Sequence, residues 1–395
     1  MGKGLHPVTR SLEVLDALKQ ASRELQASPL DLESNGSLLT SPAINALLEL
    51  ETESETILSS DPNLSALSVH LTKLKSLLRR SEDHGLIRGF LVRRVSGYSI
   101  SRVAWSIENE IQAWIDRESI VNLSLALKEG VIMEEDILAL LSRFERRVSQ
   151  GFDLELQDLV IKSRIHHSFE QVLCYPTKHS ARVREKCAAV ICALVKFNKD
   201  VFVGGLVMGP LIHSLTSMAT CATIRALSTL IRCIRSPFVD EIESLGEIPK
   251  ILSYLRISDL DMKVIVFDCV LDIGYFGRKE AIEAMMREGL VETLIYLQRS
   301  EPRGDIITLG ILSSDSTEDE RQSQSHEKGS ATVIVENPFA SCVGRFWVQL
   351  EVGEGLRQRE KRAFKLEILQ RVRDACVSDA EVATIVAEVL WGSSP

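Results

Sequence analysis

The chain has 395 residues, a formal net charge of -9 and a sequence pI of about 5.6. Apolar residues make up 45% of it and charged residues 26%, which excludes a globally disordered chain, and the acidic balance excludes a chain built mainly to neutralise phosphates. Aromatic residues are only 5% whereas aliphatic residues abound, and this composition favours packed helices over a sheet sandwich.

The cysteine pattern, the first residues and the length of the apolar stretches indicate the cellular compartment. None of the eight cysteines forms a C-x-x-C pair, and a chain of this length needs no disulfide framework, so we interpret them as reduced, buried, small apolar side chains. The first residues lack the apolar core of a signal peptide, and no apolar stretch reaches the ~18 residues that span a bilayer. We therefore expect a soluble protein of the cytoplasm or the nucleus.

Residues 1–150 are predicted to form an N-terminal helical bundle. Four apolar seams at helical spacing mark its helices: Val14, Leu18, Ala21 and Leu25; Leu64, Leu67, Leu71, Leu74 and Leu78; Ile107, Ile111, Trp114 and Ile115; and Ile137, Leu140, Leu141, Phe144 and Val148. Glycines, Gly97 among them, are expected to separate the helices, and we interpret Trp105 and Trp114 as core residues. Helices with one apolar stripe each bury it against one another, which predicts the bundle.

Residues 151–299 contain an internal repeat of about 41 residues. Gly205, Gly246 and Gly289 each open an apolar helix, and longer helices run between them. At a step of 41 residues, Val183, Ile224 and Ile265 correspond, and so do Cys187, Ser228 and Cys269. A glycine turn, a short helix and a long helix that recur at this period are typical of an α-solenoid.

The repeat resembles the armadillo family. Val183 to Leu194 is similar to the third helix of an armadillo repeat, and the segment that begins Gly204-Gly205-Leu206-Val207 is similar to the start of its second helix. The segment from Asn337 to Lys365 adds to this likeness. Together these segments make the chain similar to plant armadillo-repeat proteins related to the U-box/armadillo ubiquitin ligases, although no segment carries a U-box. The resemblance implies an all-α fold, an N-terminal helical bundle followed by an armadillo-type α-solenoid that binds other proteins along a concave groove.

The groove of such a solenoid is lined by its third helices. Import receptors of this fold carry Trp and Asn there, but the corresponding helices of this chain carry neither, so that role is not expected. The candidate groove contacts are charged residues on or beside the third helices, with an ordinary exposed helix charge as the alternative for each: Lys196, Arg225, Arg232, Arg235 and Asp272.

The C-terminal part divides into two segments. Residues 300–335 include an acidic, serine-rich run with no large apolar residue, which predicts a disordered loop with candidate phosphorylation sites. Residues 336–395 are predicted to form a last repeat and capping helices, with helical patterns over 356–372 and 379–390.

The first of these patterns carries a basic helix. Its candidate contact residues are Arg357, Arg359, Lys361, Arg362 and Lys365. Such a helix fits a nuclear-import signal, an anionic-lipid contact or a site for acidic partners. Interspersed glutamates make an ordinary solvated face the alternative.

No catalytic pattern is present in the sequence. It contains no phosphate-binding G-x-x-x-x-G-K-[ST] loop and no G-x-S-x-G elbow. His166, His167, Cys174 and His179 lie close in sequence, but their spacing matches no structural zinc pattern. We therefore expect no enzyme, no cofactor and no metal.

The sequence favours a non-catalytic scaffold or adaptor whose partners are other proteins, with no small-molecule substrate and no nucleic acid. Two alternatives are a non-catalytic adaptor in ubiquitination beside U-box ligases, and a peripheral membrane or vesicle-associated adaptor that uses the basic helix. The sequence does not indicate an oligomeric state.

Overall fold

The computed structural model describes residues 19–20, 22–23, 26, 65–82, 89–129, 133–175, 179–299 and 337–391. Within these ranges every regular element is a helix, and no strand occurs. The chain forms two compact units, Met1–Ser168 and Phe169–Pro395. The fold is therefore all-α, as predicted.

The first unit is a bundle of long helices. Its described helices are α1 Ser65–Glu82, α2 Gly89–Glu129, α3 Glu134–Val148 and α4 Leu154–Ser163, and α5 Ile165–Cys174 contains the boundary to the second unit. Leu67, Leu71 and Leu74 are buried on α1, which packs along α2. The predicted seams on α2 and α3 are buried as well, except that Leu140 is half-buried. The seam from Val14 to Leu25, together with Leu64, lies outside the described residues.

Two expectations for α2 were wrong. Gly97 does not end a helix but lies inside the 41-residue α2, because a single glycine costs a helix only about 1 kcal/mol and packing against α1 offsets it. Trp114 is buried as expected, whereas Trp105 is 56% exposed. Trp105 lies two residues from the buried Val103 and Ile107, on the opposite face of the helix.

The second unit begins with α6, Ala181–Phe197, and continues as three consecutive triplets of helices. The first triplet is α7 Lys199–Phe202, α8 Met208–Met218 and α9 Cys221–Ile234. The second is α10 Ser236–Ser244, α11 Ile248–Ser253 and α12 Leu260–Phe276. The third is α13 Lys279–Arg287, α14 Leu290–Arg299 and α15 Cys342–Val352. Two capping helices follow, α16 Gln358–Ala375 and α17 Asp379–Trp391.

The third helices of successive triplets pack side by side in one row. The row runs from α6 to α9, from α9 to α12 and from α12 to α15. The residues predicted to correspond at 41-residue steps are all buried in it: Val183, Ile224 and Ile265, and Cys187, Ser228 and Cys269. Each triplet thus contributes one long helix to a shared core, which makes this unit an armadillo-type α-solenoid.

Three of the four third helices begin with the same kind of side-chain N-cap. The side chains of Ser180, Thr220 and Asp259 accept hydrogen bonds from the backbone N–H groups three residues ahead, each at 3.3 Å. Such caps satisfy one of the N–H groups that a helix start leaves without a partner, and each is worth about 1 kcal/mol. They fix where the long helices begin.

The predicted turn glycines differ in conformation. Gly246 and Gly289 have φ angles of 69° and 73°, a left-handed conformation that glycine adopts without steric cost. Gly205 instead ends a short 3-10 helix, Val203–Gly205, before α8. The chain therefore enters the first triplet's second helix by a different turn.

A buried carboxylate joins the second helices of the first two triplets. Glu247 accepts hydrogen bonds from Nδ1 of His213 at 2.7 Å and from the hydroxyl of Thr216 at 2.8 Å. Burial opposes ionisation of Glu247, but these hydrogen bonds outweigh it and lower its pKa. The ionised carboxylate holds α8 against the start of α11.

The third triplet closes across a long insertion. Residues 300–335, predicted to be a disordered loop, lie outside the described residues, and α14 ends before them while α15 begins after them. Cys342 on α15 donates its thiol hydrogen to the carbonyl oxygen of Leu294 on α14 at 3.1 Å. The ring of Phe339 meets the edge of Phe267 on α12 at 6.2 Å between centroids. These contacts complete the repeat with chain from beyond the insertion.

No single helix of the described residues is long and apolar enough to cross a membrane. The segments Lys199–Gly205 and Met208–Met218 satisfy the length and composition test only as a pair, and they bend by 88° at the break between them.

A substitution in the loop after α15 tests how closely this loop packs against the end of α12. A Cβ atom on Gly355 would lie 2.0 Å from the carbonyl oxygen of Gly277, so backbone would have to move. We expect Gly355→Ala to destabilise the second unit by about 1–3 kcal/mol or more, measured by urea unfolding followed by helical circular dichroism. Gly204→Ala is the matched control, because a Cβ there meets nothing within 4 Å. Equal stability of the two variants would contradict this packing.

The Glu247 contact predicts a pH dependence. Since folding lowers the pKa of Glu247, its contribution is complete above the unfolded pKa and is lost as the pH falls through the folded one. We expect Glu247→Gln to be less stable than the natural protein at about pH 7 and to approach it near pH 4. Denaturant unfolding across this range measures the difference. A stability gap that does not change with pH would rule out ionisation as its cause.

Candidate partner-binding surface

The candidate site is the exposed face of the third-helix row, which we call the third-helix surface and define by Lys196 on α6, Arg225, Thr229 and Arg232 on α9 and Asp268 and Asp272 on α12. Spacings of three and four residues place each set on one side of its helix. Arg225, Arg232 and Asp268 are exposed, while Thr229 and Asp272 are half-buried. The opposite sides of α9 and α12 are buried in the core.

An ion pair crosses this surface between neighbouring triplets. Nε of Arg232 donates to Oδ2 of Asp272 at 2.9 Å. Burial raises the pKa of Asp272, and the hydrogen bond from Arg232 offsets this only in part. Both residues are predicted groove contacts, and in the structure they bind each other.

Arg235 lies at the end of α9 rather than on its face. Its φ angle is 70°, a conformation that turns the chain sharply into α10. Its guanidinium lies 3.4 Å from a carboxylate oxygen of Glu354, in the loop after α15. Arg235 therefore links two parts of the solenoid at the rim of the row.

Two predicted cations have no ion-pair partner among the described residues. Lys196 is exposed in the last turn of α6, and Arg225 is exposed one turn into α9. These two side chains are available to an incoming acidic group without the loss of an internal ion pair. Of the five predicted groove contacts, two are therefore cations available to a partner, and the other three already have an ion-pair partner within the protein.

Asp268 is a member of this surface that was not predicted from the sequence. It lies one turn before Asp272 and is exposed on the same side of α12. The spacing of four residues between Asp268 and Asp272 is the signal in the sequence that identifies it. With the Arg232–Asp272 pair neutralised internally, the surface presents positive charge on α6 and α9 and negative charge on α12.

The basic helix predicted near the C terminus is α16. Arg357, Arg359 and Arg362 are exposed there, as a contact surface requires. Lys365 is half-buried, and its ammonium group lies 5.1 Å from the centre of the Trp347 ring.

Lys361 does not belong to that surface. Its side chain is buried, and its ammonium group donates to the carbonyl oxygens of Glu351 at 2.7 Å and Gly353 at 2.9 Å. These carbonyls belong to the last turn of α15 and to the residue that caps it, where a helix leaves its C=O groups without partners. The physical role of Lys361 is therefore to hold α16 against the end of α15, and the prediction that it belongs to a contact surface was wrong.

The cysteines are only partly as expected. All eight are free thiols, but four are buried and four are half-buried: Cys187, Cys192, Cys269 and Cys342, and Cys174, Cys221, Cys233 and Cys376. Burial raises the pKa of Cys187, Cys269 and Cys342 to about 12, so these three thiols stay protonated near neutral pH. No group of three metal-ligating side chains occurs in the described part of the chain.

Comparison with known proteins finds similarity to solved structures alone. No protein-family model and no curated protein matches the chain. An engineered protein matches with a TM-score of 0.45 at 13% identity and covers 70% of this chain and 96% of its own. A designed armadillo repeat protein matches with a TM-score of 0.42 at 12% identity, covering 70% of this chain and 98% of its own. Another, in complex with the peptide (KR)4, has a TM-score of 0.40 at 14% identity and covers 70% and 98%.

Lys361 and Arg359 provide a test of the two roles on α16. We expect Lys361→Met to lower stability by about 1–3 kcal/mol, because two carbonyl oxygens lose their charged donor. Arg359→Met, at an exposed position, should stay within about 0.5 kcal/mol of the natural protein. Thermal and urea unfolding of both variants measure this. If Lys361→Met is as stable as Arg359→Met, the structural role assigned to Lys361 is contradicted.

Proposed function

We propose that the chain is a non-catalytic scaffold whose solenoid unit binds a protein segment along the third-helix surface. The observation that carries this proposal is the uninterrupted row α6, α9, α12 and α15, which shares one core and exposes charged side chains along α9 and α12. A stack of this kind offers a long, preformed surface without pocket chemistry, and such surfaces suit extended protein partners. The cytoplasm or the nucleus is the compartment that we propose for it.

The charge distribution supports a partner with an acidic group at the α6–α9 end. Lys196 and Arg225 present two cations there, and Asp268 gives the α12 end the opposite sign. Charge complementarity of this kind sets the orientation and the association rate of a partner more than its final affinity. Apolar anchors beside these charges would supply most of the affinity.

The ubiquitination adaptor and the peripheral membrane adaptor stay as alternative predictions. The membrane alternative relied on the basic helix, and burial of Lys361 leaves Arg357, Arg359 and Arg362 as its exposed cations. No contact in the described residues favours either alternative over protein binding.

Charge reversal at the two available cations tests the proposal. We expect the double change Lys196→Glu and Arg225→Glu to remove a discrete set of neighbours in proximity labelling of the native cell, because an acidic partner group would now meet like charge. Neither change breaks an internal ion pair, so helical circular dichroism should be unaltered. Arg232→Glu is not used, because it would also disrupt the pair with Asp272.

The matched control reverses two exposed cations away from this surface, Lys128→Glu on α2 and Arg287→Glu on α13. The control carries the same change in net charge. If both double variants lose the same neighbours, or if neither loses any, the third-helix surface is not the binding site.

A further inference from the structure

The outer side of α17 differs from that of an ordinary surface helix. A surface helix turns its apolar stripe to the core and its charged side chains to water. After Asp379 in the first turn, the exposed positions of α17 are Ala380, Ala383, Thr384, Ala387, Leu390 and Trp391. None of these side chains is charged, and the hydroxyl of Thr384 donates to the carbonyl oxygen of Ala380 within the helix at 3.0 Å. The outer side of α17 is therefore apolar.

The two glutamates of α17 are turned toward the solenoid instead. Glu381 accepts hydrogen bonds from Nε and Nη2 of Arg299 on α14, at 2.8 and 2.9 Å. Glu388 accepts from the hydroxyl of Ser341 at 2.8 Å and from the side-chain amide of Gln298 at 3.0 Å. These contacts fix the rotation of α17 about its own axis, so its apolar side stays exposed.

The place of α17 in the stack indicates what such a side is suited to. It packs beside α15, as α15 packs beside α12, but no further helix covers its other side. The first helix of the row, α6, exposes only Ala181, Arg182 and Lys196. On α17, by contrast, Leu390 is 45% and Trp391 87% exposed. A contiguous exposed apolar side of this kind marks a site where another molecule packs.

Helix α16 lies beside α17 and adds a basic border. It packs against both α14 and α17. Leu366 is 70% exposed on the side of α16 that faces away from its buried residues. Arg359, Arg362 and Arg373 are exposed within two turns of Leu366 on that side, and none of them has an ion-pair partner among the described residues. Asp374, in the last turn, is the only exposed acidic residue of α16.

We propose that the outer sides of α16 and α17 together bind an amphipathic helix of a partner protein, one with an apolar stripe and acidic flanks. Its apolar residues would pack on Ala383, Ala387 and Trp391, and its acidic residues would meet the arginines of α16. The bound helix would occupy the place beside α17 that α17 itself occupies beside α15. The short side chains of α17 suit this packing, because the distance between two helices depends on the size of the residues at their contact.

The basic border argues against a second copy of the chain as the occupant. A symmetric pair of copies buries the same patch twice, so it would bring three arginines from each copy to one interface. Asp374 and Asp379 are the only exposed acidic residues that α16 and α17 would set against them. Like charges that face each other across an interface oppose association, whereas an acidic partner meets no such repulsion.

Fluorescence anisotropy of dye-labelled peptides with the full chain tests the site. The first probe is a designed helical peptide of about 18 residues, with leucines at i, i+3, i+4 and i+7 spacing and glutamates on the flanks. The second has lysines in place of the glutamates, and the third has the composition of the first in scrambled order. We expect the first peptide to bind saturably and the other two at least about tenfold more weakly, because one meets like charge and the other presents no stripe.

Two substitutions on α17 locate the binding. Ala387→Glu and Trp391→Ser should each weaken binding of the first peptide about tenfold or more, since one places a charge in the apolar side and the other removes its largest side chain. Trp105→Ser is the matched control, because Trp105 is also an exposed tryptophan but lies on α2. All three positions are exposed, so circular dichroism and thermal unfolding should match those of the natural protein.

The proposal is overturned if the first peptide does not saturate the protein, if the lysine peptide binds as well, or if Trp105→Ser weakens binding as much as Trp391→Ser. Flotation with vesicles of phosphatidylserine and phosphatidylcholine, and light scattering of the free protein, test the other occupants. Vesicle binding without peptide binding would assign this side to a membrane, and a dimer that Ala387→Glu dissociates would assign it to a second copy. Either result overturns the partner helix and leaves the third-helix surface unaffected.

Discussion

The row of third helices is the constraint on which the solenoid depends. A helix in the middle of this row has a neighbour on each side and shorter helices behind it, so most of its circumference is buried. On α9, for example, Ile224, Leu227, Leu230 and Ile231 are all buried, and the exposed strip that remains is narrow. The core is continuous from one triplet to the next, and each long helix is stable only because its neighbours cover it. The narrow strip left over is, for the same reason, the surface that a partner can reach.

Charged side chains in this molecule divide into those that maintain the fold and those that are available to a partner. Lys361, Glu247 and Arg147 are bound on several sides by carbonyls, hydroxyls or carboxylates, and each joins two helices. Lys196 and Arg225 also carry charge but have no ion-pair partner among the described residues. Because an ion pair or a buried hydrogen bond already uses the donors of a cation, the presence of an internal partner is what distinguishes a structural charge from a candidate binding residue.

The two units therefore offer different chemistry. The solenoid presents a long, shallow face of mixed charge, whose two available cations lie at one end. The bundle encloses a cleft of about 430 Å3 whose floor is the hydrogen-bonded network around Arg147. The solenoid's geometry suits an extended partner with many weak contacts.

The sequence by itself determined the all-α class, the bundle seams and the period of the repeat, because apolar spacing along one helix and the position of a glycine turn are local properties. It located the start of the last helix at Asp379 and the corresponding positions Val183, Ile224 and Ile265, which are all buried. Only the tertiary structure decided which charges meet. Lys361 and Arg359 are two residues apart and equal in charge, yet one is buried against α15 and the other is exposed, since that depends on where a distant helix ends. The closure of the third triplet across the insertion was equally invisible in sequence, because Leu294 and Cys342 are brought together by the packing of α14 against α15 and not by any local pattern.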